Sequence, residues 1–142
     1  MRERNKILKY RLESLDEAAD FVIRNTESTI WLLDAPMGAG KTTLAGRIIE
    51  KLTNQVFEGS PTFAIIREYL TKDGKPLYHF DLYRLKDEEE LWNTGFEEYL
   101  EEEGIIMIEW PALAEVFIPD HFDRIRIYVN EDESRTLEII SA

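Results

Sequence analysis

The sequence predicts an α/β fold built on a mixed sheet, and three observations carry that expectation. Two short runs, Ile30 to Leu33 and Ile105 to Ile108, are wholly apolar, as strands buried on both faces of a parallel sheet are. Stretches of helical periodicity alternate with those runs, which is the order of βαβ units. Asp73-Gly74, set between two β-rich stretches, is a strong short-range signal for an antiparallel hairpin. At 142 residues the chain has the length of one domain, expected to cover residues 1–142 and to bury roughly two-thirds of its unfolded surface.

Each element has a local reason. Lys6 to Leu12 alternates, Ile7 and Lys9 against Leu8 and Tyr10, and reads as a strand. Ser14-Leu15-Asp16-Glu17 has the spacing of a capping box, with Ser14 as N-cap and Glu17 reaching back to it. The helix it opens runs to about Asn25, with Leu15, Ala18, Ala19, Val22 and Ile23 on one stripe. Thr29 to Asp34 is a buried strand, and a glycine-rich turn leads from it into a helix from Lys41 to about Thr53. Phe63 to Leu70 and Pro76 to Arg84 are strands joined by the 71–75 turn. Asp87 to Glu103 holds one or two short helices, punctuated by Gly95 and stopped by Gly104 as a C-terminal glycine. Ile105 to Trp110 is a further buried strand. Pro111 then suits the first position of a short helix running to about Phe117. Asp123 to Asn130 and Thr136 to Ile140 close the chain as a hairpin.

Composition removes several function classes. Apolar residues make up 44%, aromatics 11% and charged residues 32%, a globular balance. The longest apolar runs are four residues, whereas a membrane span needs about twenty. No signal-peptide core is visible, so the expected location is the cytoplasm. The absence of cysteine excludes disulfides, zinc ribbons, iron–sulfur clusters and thiol catalysis. His79 and His121 are the only histidines and show no metalloprotease spacing. The net charge is −12. Nine acids and no base lie between Asp87 and Glu103, leaving 20 acids against 17 bases elsewhere. No Lys/Arg stripe suits a phosphate backbone, so a direct grip on nucleic acid is not expected. The acidic block reads first as a solvated helical face and second as a docking surface for a basic partner.

The chemistry concentrates after the first buried strand. Gly38-Ala39-Gly40-Lys41-Thr42-Thr43, ahead of an amphipathic helix and preceded by Met37, has the form of the end of a Walker A loop. Small residues let successive backbone N–H groups curl around phosphates, and the helix N-terminus adds its positive dipole end. Met37, Gly38, Ala39, Gly40, Lys41, Thr42 and Thr43 are the expected nucleotide contacts. Lys41 is expected on the β- and γ-phosphates and the Thr42 hydroxyl on Mg2+. The pattern asks for glycine at position 35, where the chain has Ala35; alanine fits there if its φ is negative.

The partner of such a loop is an acid at the end of another buried strand, and Glu109 stands there. It is expected to hold Mg2+ directly or through water, or to polarise the attacking water. Trp110 beside it either walls the phosphate pocket or simply packs. On the strand of His79-Phe80-Asp81, His79, Asp81 and Tyr83 share one face. Asp81 on the nucleotide side would fix the reacting water, while His79 reads as a packed, hydrogen-bonded histidine. Thr62 in Ser60-Pro61-Thr62 lies where switch-type NTPases place a γ-phosphate-sensing hydroxyl. Arg84 is the best-placed arginine for transition-state charge, with a surface ion pair as its other reading. The expected architecture is thus a P-loop NTPase-like three-layer sandwich with a mixed, mainly parallel central sheet plus antiparallel hairpins.

Beyond the loop, five stretches in this order resemble the bacterial TsaE (YjeE) family: Asp34 to Thr43, Ser60 to Phe63, His79-Phe80-Asp81-Leu82-Tyr83-Arg84-Leu85, Gly95 to Tyr99, and Ile108-Glu109-Trp110-Pro111. The Walker loop alone is unspecific; the His-Phe-Asp-Leu-Tyr-Arg and Ile-Glu-Trp-Pro stretches make the likeness specific. The resemblance implies ATP and Mg2+ as cofactors and slow, partner-stimulated hydrolysis. It also implies a place in the complex that makes N6-threonylcarbamoyladenosine at position 37 of tRNA. Two partner proteins of the glycoprotease/kinase-like (ASKHA) type are implied, with tRNA gripped by them and not by this acidic chain. Residue by residue it puts Lys41 and Thr42 on phosphate and Mg2+, Glu109 on Mg2+, Asp81 near the reacting water, and Thr62 and Trp110 along the same site. A small-molecule P-loop kinase is the competing reading, but the segment where a kinase lid belongs is acidic and lacks arginine. A guanine-specific sensor would need Asn-Lys-x-Asp, which is absent.

Overall fold

The computed structural model of the chain describes residues 4–59, 61 and 65–141. Its elements are β1 (Arg4–Tyr10), α1 (Leu15–Asn25), β2 (Ile30–Asp34), α2 (Lys41–Leu52), β3 (Ile66–Leu70), β4 (Pro76–Asp81), α3 (Glu88–Trp92), α4 (Phe96–Leu100), β5 (Ile105–Glu109), β6 (Asp123–Val129) and β7 (Arg135–Ser141). Two 3₁₀ turns, Leu12–Ser14 and Pro111–Phe117, join β1 to α1 and follow β5. The strands form one sheet in the order β1-β7-β6-β2-β5-β4-β3. Strands β6, β2, β5 and β4 pair in parallel, while β7 joins β6 to the edge strand β1 and the other edge strand, β3, joins β4, all antiparallel. The expected mixed sheet with a parallel centre and antiparallel hairpins is therefore observed.

Side-chain parity divides the apolar residues into two cores, one on each face of the sheet. Trp31, Leu33, Leu77, Met107, Ile125 and Ile127 point to the face covered by α1 and α2, where Ala18, Ala19, Val22, Leu44, Ala45, Ile48 and Ile49 are buried against them. Ile30, Leu32, Tyr78, Phe80, Ile106 and Ile108 point to the other, closed by Leu91 of α3, Phe96 of α4 and Ala114 of the second 3₁₀ turn. Phe80 makes edge-on ring contacts with Phe96 and Tyr99 there. Helical segments thus cover both faces, giving three layers. Because β2 and β5 are covered on both sides, their sequences are continuously apolar instead of alternating.

Topology opens a crevice at one place. The chain leaves β2 through α2 and reaches β4 on the far side of β5. It leaves β5 through the Pro111–Phe117 turn and reaches β6 on the far side of β2. Those connections run in opposite directions over opposite faces, so the loops part between the carboxyl ends of β2 and β5. Ligands of open α/β sheets bind at such a switch point. Asp34 to Lys41 and Glu109-Trp110 stand at its two sides.

Several local expectations are corrected. Ser14 does sit at the start of α1, but its side chain makes no capping hydrogen bond; its ψ of 29° closes the 3₁₀ turn and is not the extended backbone from which a hydroxyl reaches the third helical N–H. Gly104 does not stop a helix, since α4 ends at Leu100. Its positive φ of 129° lies where a Cβ would come within 2.3 Å of the Pro76 carbonyl, so glycine is required by the approach of the β4 backbone. Trp110 belongs to no strand: its φ of 57° and ψ of 60° break β5 at Glu109. The strand expected from Pro76 to Arg84 ends at Asp81, where Leu82 N–H turns to the Glu109 carbonyl. Of the Phe63–Leu70 strand the described part is Ile66–Leu70; Phe63 and Ala64 lie outside the described residues.

Candidate functional site

The loop between β2 and α2 is shaped by its glycines. Gly38 and Gly40 have φ of 82° and 95°, a left-handed conformation that residues with a Cβ adopt at a cost of about 1–2 kcal/mol each. Ala35, where the motif has glycine, is not among the residues with positive φ, so alanine fits without strain. Between them Ala39 N–H bonds the Pro36 carbonyl and closes a tight turn. Gly40 caps α2, whose first residues, Lys41 and Thr42, are thereby aimed into the crevice with the positive end of the helix dipole behind them. Met37 and Thr43 are exposed at the rim. The turn geometry, the strand before it and the helix after it are all as the motif requires.

Lys41 is only 6% exposed. Its Nζ donates to the Ala35 carbonyl at 3.1 Å, and the Trp110 ring covers it with 3.2 Å from Nζ to the ring centroid. Burial pushes the Lys41 ammonium below its usual pKa, while the carboxylates of Glu109, Asp81 and Asp34 push it back up. The left-handed backbone of Trp110 is what lays its indole on the loop. The Tyr83 ring supports the indole from outside, centroids 4.9 Å apart.

Opposite the helix stands Glu109, 1% exposed at the carboxyl end of β5. Its Oε1 accepts from the Thr42 hydroxyl at 2.7 Å, and its Oε2 accepts from His79 Nε2 at 2.6 Å. Asp81 ends β4 in register with Glu109 and is half-buried; its Oδ1 accepts from Tyr83 N–H at 3.0 Å. Among the described residues no group of three or more His, Asp and Glu side chains is arranged to hold a metal alone. The Thr42 hydroxyl and the Glu109 carboxylate supply two adjacent hard oxygens, the donor type magnesium takes, and Mg2+ ordinarily completes its shell with waters and substrate phosphates. The residues present therefore fit a magnesium ion that arrives with a phosphate ligand.

The structure thus brings together Lys41, Thr42, Asp81, Glu109 and Trp110 with the 37–43 loop. Ser60 and Thr62 lie outside the described residues. Arg84 is exposed in the turn after β4. One neighbour was under-read from sequence. Arg135 at the start of β7 reaches back to the loop and donates from Nε to the Ala39 carbonyl at 3.2 Å. Its distance of 96 positions from Ala39 leaves no sequence signal for that contact. His79 is buried and hydrogen-bonded as expected, and its partner is Glu109. The available signal was its shared strand face with Asp81.

The chain is similar to a known family, to its members and to a solved structure. The family model for "threonylcarbamoyl adenosine biosynthesis protein TsaE" matches residues 9–138. The tRNA threonylcarbamoyladenosine biosynthesis protein TsaE of Haemophilus influenzae is 36% identical over 118 residues, covering 82% of this chain and 73% of that one. The Bacillus subtilis protein of the same name is 39% identical over 108 residues, covering 74% of this chain and 65% of that relative, just under two-thirds of its length. Among solved structures, the crystal structure of Bacillus subtilis YdiB superposes with a TM-score of 0.76 and 26% identity, covering 99% of this chain and 88% of that one.

Proposed function

The chain belongs to the TsaE family of threonylcarbamoyladenosine biosynthesis, and from that premise we propose that it is a Mg2+-dependent P-loop ATPase of the tRNA A37 modification complex. The single observation that supports this most is the junction of the α2 N-terminus with Glu109: loop, lysine, threonine hydroxyl and acid converge at the switch point of the sheet. The loop backbone and α2 receive the phosphates. Lys41 leaves the Ala35 carbonyl for the β- and γ-phosphate oxygens, exchanging one acceptor for stronger charged ones. Thr42 and Glu109 would hold the magnesium ion, which when bound would neutralise phosphate charge.

Hydrolysis is then in-line attack of water on the γ-phosphorus, with the bond to the β–γ bridging oxygen breaking to leave ADP and inorganic phosphate. Asp81, on the same sheet face as Glu109, orients that water. Trp110 closes the crevice and excludes bulk water from Lys41. Arg84 is exposed, Arg135 is turned to the Ala39 carbonyl, and the Lys41 ammonium begins under an aromatic lid. The isolated chain is therefore slow, and two partner proteins of the ASKHA type order the site and carry the tRNA. No helix of the described residues is long and apolar enough to cross a membrane, and the cytoplasm is the proposed location.

The test is steady-state ATP hydrolysis by the chain alone and with the two partner proteins, with threonylcarbamoyladenosine in tRNA as a second readout. Slow turnover alone and clear stimulation by the partners are expected. Turnover near the enzyme median of about ten per second without partners contradicts the proposal. Phosphorylation of a small acceptor would replace it with the kinase reading.

A further inference from the structure

His79 takes no part in the steps above, yet it is among the most enclosed polar groups in the molecule. It is 0% exposed on β4, its Nε2 lies 2.6 Å from Glu109 Oε2, and its Nδ1 has no hydrogen-bond partner. The Phe57 ring lies 5.9 Å from the imidazole, centroid to centroid. Phe57 in turn packs so closely on α2 that a Cβ at Gly46 would come within 2.4 Å of it. A histidine buried only for packing has no need to spend its one hydrogen bond on an acid at the nucleotide crevice. An ionised carboxylate only accepts, so the shared proton sits on Nε2.

The bond acts on the geometry of Glu109. A glutamate has three side-chain torsions and loses considerable freedom when both oxygens are fixed. With Oε2 anchored by His79, Oε1 is left facing the Thr42 hydroxyl at 2.7 Å. We infer that His79 is a positioning residue that presets the Glu109 carboxylate against Thr42, so that the two oxygens meet the metal–nucleotide already oriented. The inference rests on the magnesium reading of Glu109 and Thr42. Partners that orient first-layer ligands in this way are worth about 10–100-fold in metal affinity.

The experiment compares His79→Gln, His79→Asn and His79→Leu by Mn2+ affinity of the protein–ATP complex, by kcat and KM for ATP, and by melting temperature. The glutamine amide nitrogen reaches the position of Nε2, whereas that of asparagine reaches only the position of Nδ1. His79→Asn and His79→Leu are expected to weaken Mn2+ binding by about 10-fold or more and to lower kcat more than they change KM. His79→Gln is expected to restore both to within about threefold. Equal Mn2+ affinities for the glutamine and asparagine variants, or losses that follow melting temperature alone, overturn the inference while leaving the nucleotide site intact. Failure of the unmodified chain to bind Mn2+ with ATP removes the nucleotide reading, and this inference with it.

Discussion

Two acids are almost wholly buried at opposite ends of the sheet, and they are buried for different reasons. Asp123, at the start of β6, is 0% exposed and accepts from Glu27 N–H at 2.9 Å, Ser28 N–H at 2.8 Å and the Ser141 hydroxyl at 2.5 Å. All its partners are structural: it ties the α1–β2 connection and the last strand to the sheet. Glu109, at the end of β5, is 1% exposed, and its partners are the threonine that follows the loop lysine and the buried His79. Burial alone does not separate architecture from chemistry. Position does: Asp123 lies at the amino end of a parallel strand, Glu109 at the carboxyl end beside the switch point, where helix dipoles and loops converge.

The comparison breaks most sharply at the lysine. Lys41→Ala is expected to lower ATP affinity by about 100-fold or more, roughly the worth of one strong charged hydrogen bond, with the fold intact. Equilibrium titration with ATP checks it, and unchanged affinity would mean that the loop is misread. Next in size, Glu109→Gln is expected to lower kcat on the order of 100-fold while moving stability by no more than about 1 kcal/mol. Asp123→Ala should do the reverse. It leaves two part-buried N–H donors without their acceptor, costs about 2 kcal/mol in denaturant unfolding, and spares ATP affinity per folded molecule. If both variants lost stability alone, the division between the two ends would fail.

Smaller effects sharpen the picture. Nucleotide that draws Lys41 to its phosphates must part the ammonium from Trp110. The intrinsic fluorescence of the chain should therefore change on ATP addition, and Trp110→Phe should remove that change. Trp110→Leu loses the cation–π contact and costs about 1 kcal/mol. The smallest effect is electrostatic and lies in the β6–β7 turn. Hydrogen bonds from the Ser134 hydroxyl and backbone, helped by Lys9 and Arg11, hold Asp132 down to about 2 from its ordinary 3.8. A depressed carboxylate contributes stability that is fully present above pH 3.8 and lost as pH falls through about 2. Asp132→Asn should lower stability at neutral pH and flatten acid unfolding in that window, the two chains converging as pH falls to about 2.

What the sequence revealed followed the range of the interactions. The two apolar strands, the α2 start and the Asp73-Gly74 hairpin depend on near neighbours and were legible. So was Glu109, because an acid after four apolar residues marks a strand end. The pairing of His79 with Glu109 was not, since it requires β4 to lie parallel to β5 with Asp81 opposite Glu109. Arg135 at the loop likewise depends on the sheet order that brings β7 round beside β6. Local signals also misled where a tertiary demand overrode them. Gly104 looked like a helix stop but is set by the approach of Pro76, and Ser14 looked like a cap but is taken up in a 3₁₀ turn.

The measurement that bears most directly on the carboxyl-end site is calorimetric titration of ATP, with and without Mg2+, into the chain and into Glu109→Gln. Saturable ATP binding that tightens with Mg2+ in the chain, and loses that tightening in the variant, is the expected result. Binding that ignores Mg2+ in both, or no binding at all, would contradict the assignment of Thr42 and Glu109 as the magnesium side of a nucleotide site.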